Sequence, residues 1–315
     1  MSEIIDFNEL KATGALPSPR GVMLAVIRLC QREQVSLQEL ARTVQTDPVL
    51  AGRIIKLANA ANPVKTRSIA AVTTDVLILI GVHAVRQVAL GLSLAASYRN
   101  GACEGFDYGR FWTRSLAMAC AARAIGERIR VAPAAELFTC GLLAGIGRLG
   151  IASARPLAYS RLLEEMRGCW PEELTLAEAR LFGYSHLSLA AAMMADWNIP
   201  RMFGDAVLFH EKPHASSFAT GSRQQRLTHG LHLAALIADL CVATDDERTL
   251  LVPSVFEAAA VSGLADDQVA LLVDEVSREW AEWGEVLQLH TRALSLLPES
   301  GADITQLSQG PIDVQ

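Results

Sequence analysis

The sequence is poor in aromatic residues and has no excess of positive charge. Aromatic side chains make up 6% of the 315 residues, and 28 Lys and Arg residues against 34 Asp and Glu residues give a formal charge of −6. This balance and a pI near 5.7 argue against a globally basic nucleic-acid-binding surface, although they are compatible with a local basic patch. The low aromatic content, with much Ala and Leu, favours packed helices over sheets.

The sequence also has no CxxC pair and no long uninterrupted apolar run. Residues 1–10 are acidic and have no apolar signal core. No uninterrupted apolar run reaches the ~18 residues that span a bilayer, so the sequence predicts a soluble, cytoplasmic protein. Scattered cysteines without a CxxC pair predict buried, reduced thiols at Cys30, Cys103, Cys120, Cys140, Cys169 and Cys241.

Helix start signals recur along the chain, whereas strict alternation of polar and apolar residues does not. Ser36-Leu37-Gln38-Glu39 is a capping box, in which two side chains satisfy exposed first-turn amides. Asp47-Pro48 opens a predicted helix over 49–60. The pattern therefore predicts an all-α protein. The predicted helix over 49–60 carries Leu50, Ile54, Leu57 and Ala58 on one face. Further capping boxes are predicted at Thr175–Glu178, Thr244–Glu247 and Ser254–Glu257.

One ten-residue segment has the frame of a metal-binding motif without its metal ligands. Residues 141–150 read GLLAGIGRLG, which resembles the GLLHDIGKLG stretch of HD-superfamily phosphohydrolases and of the HDOD regulatory family derived from them. In the HD enzymes, the adjacent His and Asp bind a metal that activates water for attack on phosphate. Here Ala144 and Gly145 stand at those positions, and neither can donate an electron pair to a metal. The resemblance therefore implies a regulatory domain built on an enzyme's fold.

Other motifs extend the resemblance to the HDOD family over much of the chain. Leu16-Pro17, Asp47-Pro48 and Leu57-Ala58-Asn59-Ala60 are similar to the family's LP…DP…LANSA pattern. The resemblance implies a multi-helix HDOD/HD-like bundle with an N-terminal helical layer and a C-terminal helical extension. The remaining matches are Ser68-Ile69, Leu79-Ile80-Gly81 and Arg86, then Glu178, Gly183 and His186 for E-x4-G-x2-H, Trp197-Asn198-Ile199-Pro200 for W-x-L-P, and Phe209-His210.

Breaks in the helical pattern divide the chain into four predicted parts. Asn100–Gly109 contains three glycines, and His214–Gln225 is rich in polar residues. We expect residues 1–100 to form the N-terminal helical layer and residues 101–215 a degenerate HD-like core. Residues 216–298 are expected to form the C-terminal extension, ending in an amphipathic helix, and residues 299–315 a flexible tail or linker.

The resemblance also implies where a catalytic metal would be held. The family's early His, which follows a Trp, corresponds to Arg114 after Trp112, and its final Asp to Asp239. Arg114 would place a permanent positive charge where the metal belongs. We therefore predict no metal, no cofactor and no catalysis, with a residual metal-dependent phosphohydrolase acting on a nucleotide or phosphodiester as the alternative. The expected vestigial cleft comprises Arg114, Ala144, Gly145, Arg148, His186, His210 and Asp239.

This vestigial cleft allows two interpretations of its charged residues. Arg114 and Arg148 could bind a phosphate or nucleotide, or they could pair with local carboxylates or project into solvent. The histidines are expected to be neutral and to hydrogen-bond to backbone, water or Asp239.

Two further motifs give weaker signals than the cleft. Gly145–Gly150 formally fits the dinucleotide fingerprint GxGxxG, but that motif needs a preceding strand, and 134–143 is a predicted helix. His229 and His232 have metal-ligand spacing, although a solvated helix start explains them better.

The C-terminal region carries a seam of apolar residues with 4-3-4-3-4 spacing. It predicts a helix over 267–289 that packs on its own domain, meets a second copy in a homodimer, or relays a signal. By resemblance, HDOD segments precede GGDEF diguanylate cyclase domains, so the expected partners are a signalling protein or an attached GGDEF-type domain. Neither nucleic acid nor membrane is expected. The seam consists of Val269, Val273, Val276, Trp280, Trp283 and Leu287.

Overall fold

A computed structural model of the chain describes residues 7–19, 21–30, 32, 34–61, 68–168, 171–292 and 294. This part of the chain forms sixteen α-helices, one 3₁₀ helix at Pro213–Ala215 and no strand, which confirms the predicted all-α class. The predicted tail over 299–315 lies outside the described residues. The helices are α1 (Phe7–Ala12), α2 (Gly21–Cys30), α3 (Leu37–Gln45), α4 (Pro48–Ala61), α5 (Thr74–Ile80), α6 (Val82–Ser97), α7 (Tyr108–Ile129), α8 (Ala134–Leu143), α9 (Ile146–Ala154), α10 (Pro156–Glu165), α11 (Pro171–Phe182), α12 (His186–Asp196), α13 (Arg201–Phe209), α14 (Arg223–Val242), α15 (Asp245–Val261) and α16 (Asp266–Leu287).

Several helices begin where their capping residues predict. The Ser36 hydroxyl accepts the amide of Glu39 at 3.2 Å, and α3 starts at the next residue. α4 starts at Pro48, and its predicted apolar face is buried. Thr244 and Glu247 cap the start of α15 reciprocally. In these cases the local sequence decides the boundary because the caps satisfy first-turn amides that have no partner within the helix.

Two predicted helix starts are wrong. Thr175 lies inside α11, which begins at Pro171, and Ser254 lies inside α15. Each helix is already under way at that point, so no first-turn amide is left for the supposed cap. Glu178 is instead fully buried, and its carboxylate accepts a hydrogen bond from the Tyr159 hydroxyl at 2.8 Å.

Helix α7 is the centre of the fold. It makes its largest contacts with α8, α14 and α16, and its inner face carries a run of small residues. Gly141 of α8 lies so close that a Cβ there would stand 2.5 Å from the Met118 carbonyl oxygen. In the N-terminal layer, α2 packs on α6, and α6 contacts α8. One continuous hydrophobic core therefore joins the N-terminal layer to the C-terminal helices.

The C-terminal seam packs on its own domain. Helix α16 covers Asp266–Leu287, close to the predicted range, and Trp280 and Trp283 are each only 1% exposed. The Trp280 indole donates to the Thr113 carbonyl of α7 at 3.0 Å. All six seam residues are buried within the chain, and the predicted homodimer through the C-terminal helix stays a prediction.

The most apolar stretch of the chain is part of the core. Ala134–Ala154 is long and apolar enough, by length and composition, to cross a membrane, which corrects the expectation that no segment reaches that size. Two pairs of helices with a bend between them would also be long and apolar enough if each pair were one span. In the fold, 78% of this window is buried as α8 and α9. Five cysteines are buried and unpaired, as predicted, and Cys169 lies outside the described residues.

Candidate functional site

The residues expected at the vestigial cleft converge around one cavity of about 190 Å³. Helices α7, α9 and α12, the α8–α9 turn and the end of α13 supply its walls. Asp239 of α14 joins the group through a contact with Arg114. The cavity is lined by six of the seven predicted residues, namely Arg114, Ala144, Gly145, Arg148, His186 and His210.

The glycines at the turn between α8 and α9 are explained by close packing. A Cβ on Gly147 would lie 1.9 Å from the His186 carbonyl oxygen, so only glycine lets α9 approach α12 this closely. Gly145 faces the Phe111 ring, and a Cβ at this position would lie 3.2 Å from the nearest ring carbon. Gly147 is therefore required by the fold whether or not a metal is bound, whereas Gly145 contacts only a side chain that can shift.

Arg114 forms a two-point ion pair with Asp239. Its Nε and Nη2 donate to Oδ1 and Oδ2 of the carboxylate at 2.6 and 2.9 Å. Parallel bonds of this kind are the strongest geometry available to a guanidinium and a carboxylate. The carboxylate that the resemblance matches to the family's final Asp is therefore paired with a cation belonging to the protein itself.

His186 lies between two carboxylates. Its Nδ1 is 2.6 Å from Glu178 Oε2 and its Nε2 is 3.0 Å from Glu211 Oε1, so both ring nitrogens act as donors. Burial and the charge of Arg148 lower the pKa of His186, but the bonds to the two glutamates outweigh them and raise that pKa above its usual value. The expectation of a neutral imidazole bonded to backbone, water or Asp239 is wrong at this position.

Glu211 is a site residue that sequence reasoning missed. Its carboxylate bridges His186 and Arg148, whose Nη2 donates at 3.2 Å. Burial raises the pKa of Glu211, yet the His186 hydrogen bond and the charges of His186 and Arg148 hold it well below the usual range. Its place directly after the retained His210 was the available signal, since the two neighbours sit at one end of α13.

His210 behaves in the opposite way to His186. It is 3% exposed, and its Nδ1 donates to the Val207 carbonyl at 2.7 Å. Burial lowers the pKa of His210 to about 4, so this ring is neutral near pH 7. His232 donates from Nδ1 to the His210 carbonyl at 2.8 Å, which gives it a structural contact in place of a metal-binding role.

The donors of the cleft do not fit a catalytic metal. Arg114, Arg148 and His186 face the carboxylates of Asp239, Glu211 and Glu178, so three cations balance three anions. Over the described part of the chain, no group of three or more His, Cys, Asp or Glu side chains is arranged to hold a metal. Gly145–Gly150 enters a helix from another helix, which removes the dinucleotide-binding interpretation. An external anion would have to break an existing ion pair, so anion binding here stays a prediction.

The fold and this cleft define an HD-like all-helical domain whose cleft is lined by paired charges. The family model for the HDOD domain matches residues 16–213, more than half of the chain, and the protein belongs to the HDOD family. No curated protein matches the chain.

Solved structures agree with this membership. The chain is 36% identical to the MmoQ response regulator from Methylococcus capsulatus str. Bath, covering 82% of this chain and 97% of that one with a TM-score of 0.51. An HDOD domain protein with unknown function from Geobacter sulfurreducens is 21% identical, with a TM-score of 0.61 and coverage of 89% and 97%. A protein from Shewanella amazonensis SB2B, named provisionally as a phosphohydrolase, is 22% identical, with a TM-score of 0.63 and coverage of 88% and 97%. The last two show the shared fold.

Proposed function

We propose that this protein is a non-catalytic bacterial signal-transduction module that binds a partner protein or small ligand and relays its state. The observation that carries the proposal is the two-point Arg114–Asp239 pair, a fixed cation at a position that the resemblance matches to a metal ligand of HD enzymes. Ala144 and Gly145 supply no ligand beside it. The 36% identity to a protein named as a response regulator supports a signalling role.

The ion-paired cleft suits a module that changes state. Its six charged groups come from α7, α9, α11, α12, α14 and the end of α13. A rearrangement of one ion pair would therefore change the contacts between several helices. Packed helices with paired charges switch between discrete arrangements, since partial separation leaves a charge unpaired. An attached GGDEF-type domain or a separate signalling protein would read such a change.

The absence of catalysis is tested by elemental analysis and a hydrolysis assay. The purified protein should contain no stoichiometric Mn, Fe or Zn and should not hydrolyse bis(p-nitrophenyl) phosphate with Mn²⁺ present. As a matched comparison, Arg114→His/Ala144→His/Gly145→Asp returns three ligand side chains and should bind Mn²⁺ more tightly. One metal per wild-type chain, together with hydrolysis that stops on chelation, would restore the phosphohydrolase alternative.

The relay role needs a separate experiment. Affinity capture from a bacterial lysate, quantified by mass spectrometry, would compare wild-type bait with Arg114→Gln. We expect a signalling protein whose recovery differs at least severalfold between the two baits, with exposed Arg278→Gln as the control. Equal recovery of every captured protein would remove the cleft from signal relay.

A further inference from the structure

A second and larger cavity, of about 630 Å³, lies at the other side of the first turn of α7. Its walls come from the α6–α7 connection, the start of α7, the end of α14 and the segment after α16. The volume falls within the range of small-molecule sites, ~300–1,000 Å³. The buried rings of Tyr108, Trp112 and Trp280 form part of its wall.

Three arginines line this second cavity without a carboxylate partner. Among the described residues, Arg99, Arg110 and Arg292 form no ion pair within 4.0 Å. Arg99 donates to the carbonyls of Leu287 and Gln288, the latter at 3.3 Å, and Arg110 donates to the Val242 carbonyl at 2.9 Å. Backbone carbonyls orient these guanidinium groups but carry no net charge to balance them.

The carboxylate that lines the cavity is already engaged. Asp107 caps α7, and its Oδ1 accepts the amide of Arg110 at 2.8 Å. Exposed Glu247 lies near Arg110 and Arg292, but it accepts the Thr244 amide at 2.8 Å as the cap of α15. Neither carboxylate lies within ion-pair distance of the three arginines, and each is held by a backbone amide at the start of its helix.

Two guanidinium nitrogens at this place are buried without an acceptor. Nη2 of Arg292 and Nη2 of the neighbouring Arg248 both lack a hydrogen-bond partner. Burial lowers the pKa of Arg248, and the charge of Arg292 adds to the lowering. Of the two residues, only Arg292 lines the cavity. Buried donors are almost always paired in folded proteins, so the unpaired Nη2 of Arg292 indicates a missing acceptor there.

We propose that this cavity, called here the arginine cavity, binds a phosphate-bearing small molecule of nucleotide size through Arg99, Arg110 and Arg292. Guanidinium groups match phosphate oxygens in geometry, and three of them suit an anion of several charges better than a single carboxylate. Such a ligand would tie the segment after α16 to the start of α7. Arg110 and Asp107 line both cavities, so a bound phosphate would also bear on the vestigial cleft.

Isothermal titration calorimetry of the full chain with inorganic pyrophosphate, AMP, ATP and GTP tests the proposal. We expect saturable binding of at least one of these at low ionic strength, weakening as KCl is added. Arg110→Gln and Arg292→Gln should each weaken it at least fivefold, and Arg278→Gln, an exposed charge change on α16, should stay within twofold. Tryptophan fluorescence should change on binding, since Trp112 and Trp280 are in the wall.

Two results of these titrations would overturn the proposal, and the Arg148→Gln variant described below can give a third. One is no saturable binding of any of the four probes by the wild-type protein, which does not depend on a variant folding. The other is equal weakening by Arg278→Gln and Arg292→Gln, which would show only general charge attraction. Arg148→Gln separates the two cavities: binding within twofold of wild type keeps the ligand out of the vestigial cleft, and loss of binding moves it there. None of these outcomes bears on whether the cleft is catalytic.

Discussion

The two cavities beside the start of α7 differ in whether their arginines are paired with carboxylates. In the vestigial cleft, Arg114 and Arg148 each have a carboxylate partner, and His186 has two. In the arginine cavity, Arg99, Arg110 and Arg292 have none, although the chain as a whole is acidic. Both sets of side chains lie within the same helical framework, so the difference comes from which residues each helix presents.

The contrast separates a structural use of charge from a binding use. Charges paired inside the protein stabilise one arrangement of helices and leave little for a ligand. Charges left without a partner lower the folding stability of the ligand-free protein, and they stabilise the protein only when an oppositely charged ligand binds. The vestigial cleft belongs to the first kind, and the arginine cavity, as proposed above, to the second.

The largest expected effect is at the buried centre of the paired cleft. Glu178→Ala leaves the His186 imidazolium without its closest partner and should lower the free energy of unfolding by ~3–5 kcal/mol. Urea denaturation measures this, with exposed Glu164→Ala as a control expected to stay within ~0.5 kcal/mol. A Glu178→Ala protein as stable as the control would mean that the pair contributes nothing to the fold.

The glycines of the inherited motif should differ in their tolerance of a methyl group. Gly147→Ala pushes a Cβ against the His186 backbone and should cost at least ~1–3 kcal/mol. Gly145→Ala meets only the Phe111 ring, a side chain that can shift, and should cost less. Thermal unfolding of the two variants compares them, and a reversed order would contradict the close approach of α9 to α12.

The two cleft histidines should respond to pH in opposite directions. The raised pKa of His186 stabilises the fold fully below the unfolded value near 6.5, and this contribution is lost as pH rises through the folded pKa. The pKa of His210, lowered to about 4, has the reverse effect: stability is lost as pH falls from 6.5 towards 4. A tenfold difference between the folded and unfolded acid dissociation constants corresponds to ~1.4 kcal/mol of stability.

NMR titration of the ring signals measures both pKa values in one sample. His186→Gln should remove the alkaline loss of stability, and His210→Gln the acidic loss between pH 6.5 and 4. A His186 ring that titrates below 6.5 would contradict its placement between two carboxylates.

The smallest expected effects are changes in stability of opposite sign when one arginine is removed from each cavity. Arg114→Gln removes an ion pair and should lower stability by ~1 kcal/mol. Arg292→Gln removes an unpartnered cation beside Arg248 and should raise stability of the free protein by ~0.5 kcal/mol. Differential scanning fluorimetry without phosphate compares them, and shifts of the same sign would show that the two arginines are in equivalent surroundings.

Local rules in the sequence were enough for the fold class and for many helix boundaries. The caps at Ser36 and Thr244 and the proline at position 48 act on the amides next to them, so their effect can be deduced without knowing the fold. The apolar face of α4 and the seam of α16 follow from helical periodicity in the same way. Six of the seven residues that the family resemblance assigned to the vestigial cleft line one cavity.

Only the tertiary structure decided what those positions do when they meet. Thr175 and Ser254 carry a cap signature, but whether a helix has already begun depends on residues outside the four-residue pattern. The pairing of Arg114 with Asp239 joins residues 125 positions apart, and the partners of His186 come from two further segments. The same holds for Arg99 and Arg292, whose lack of a carboxylate appears only once the segment after α16 is placed. Charge acts over a few ångströms in space, so its partners are set by packing and not by order along the chain.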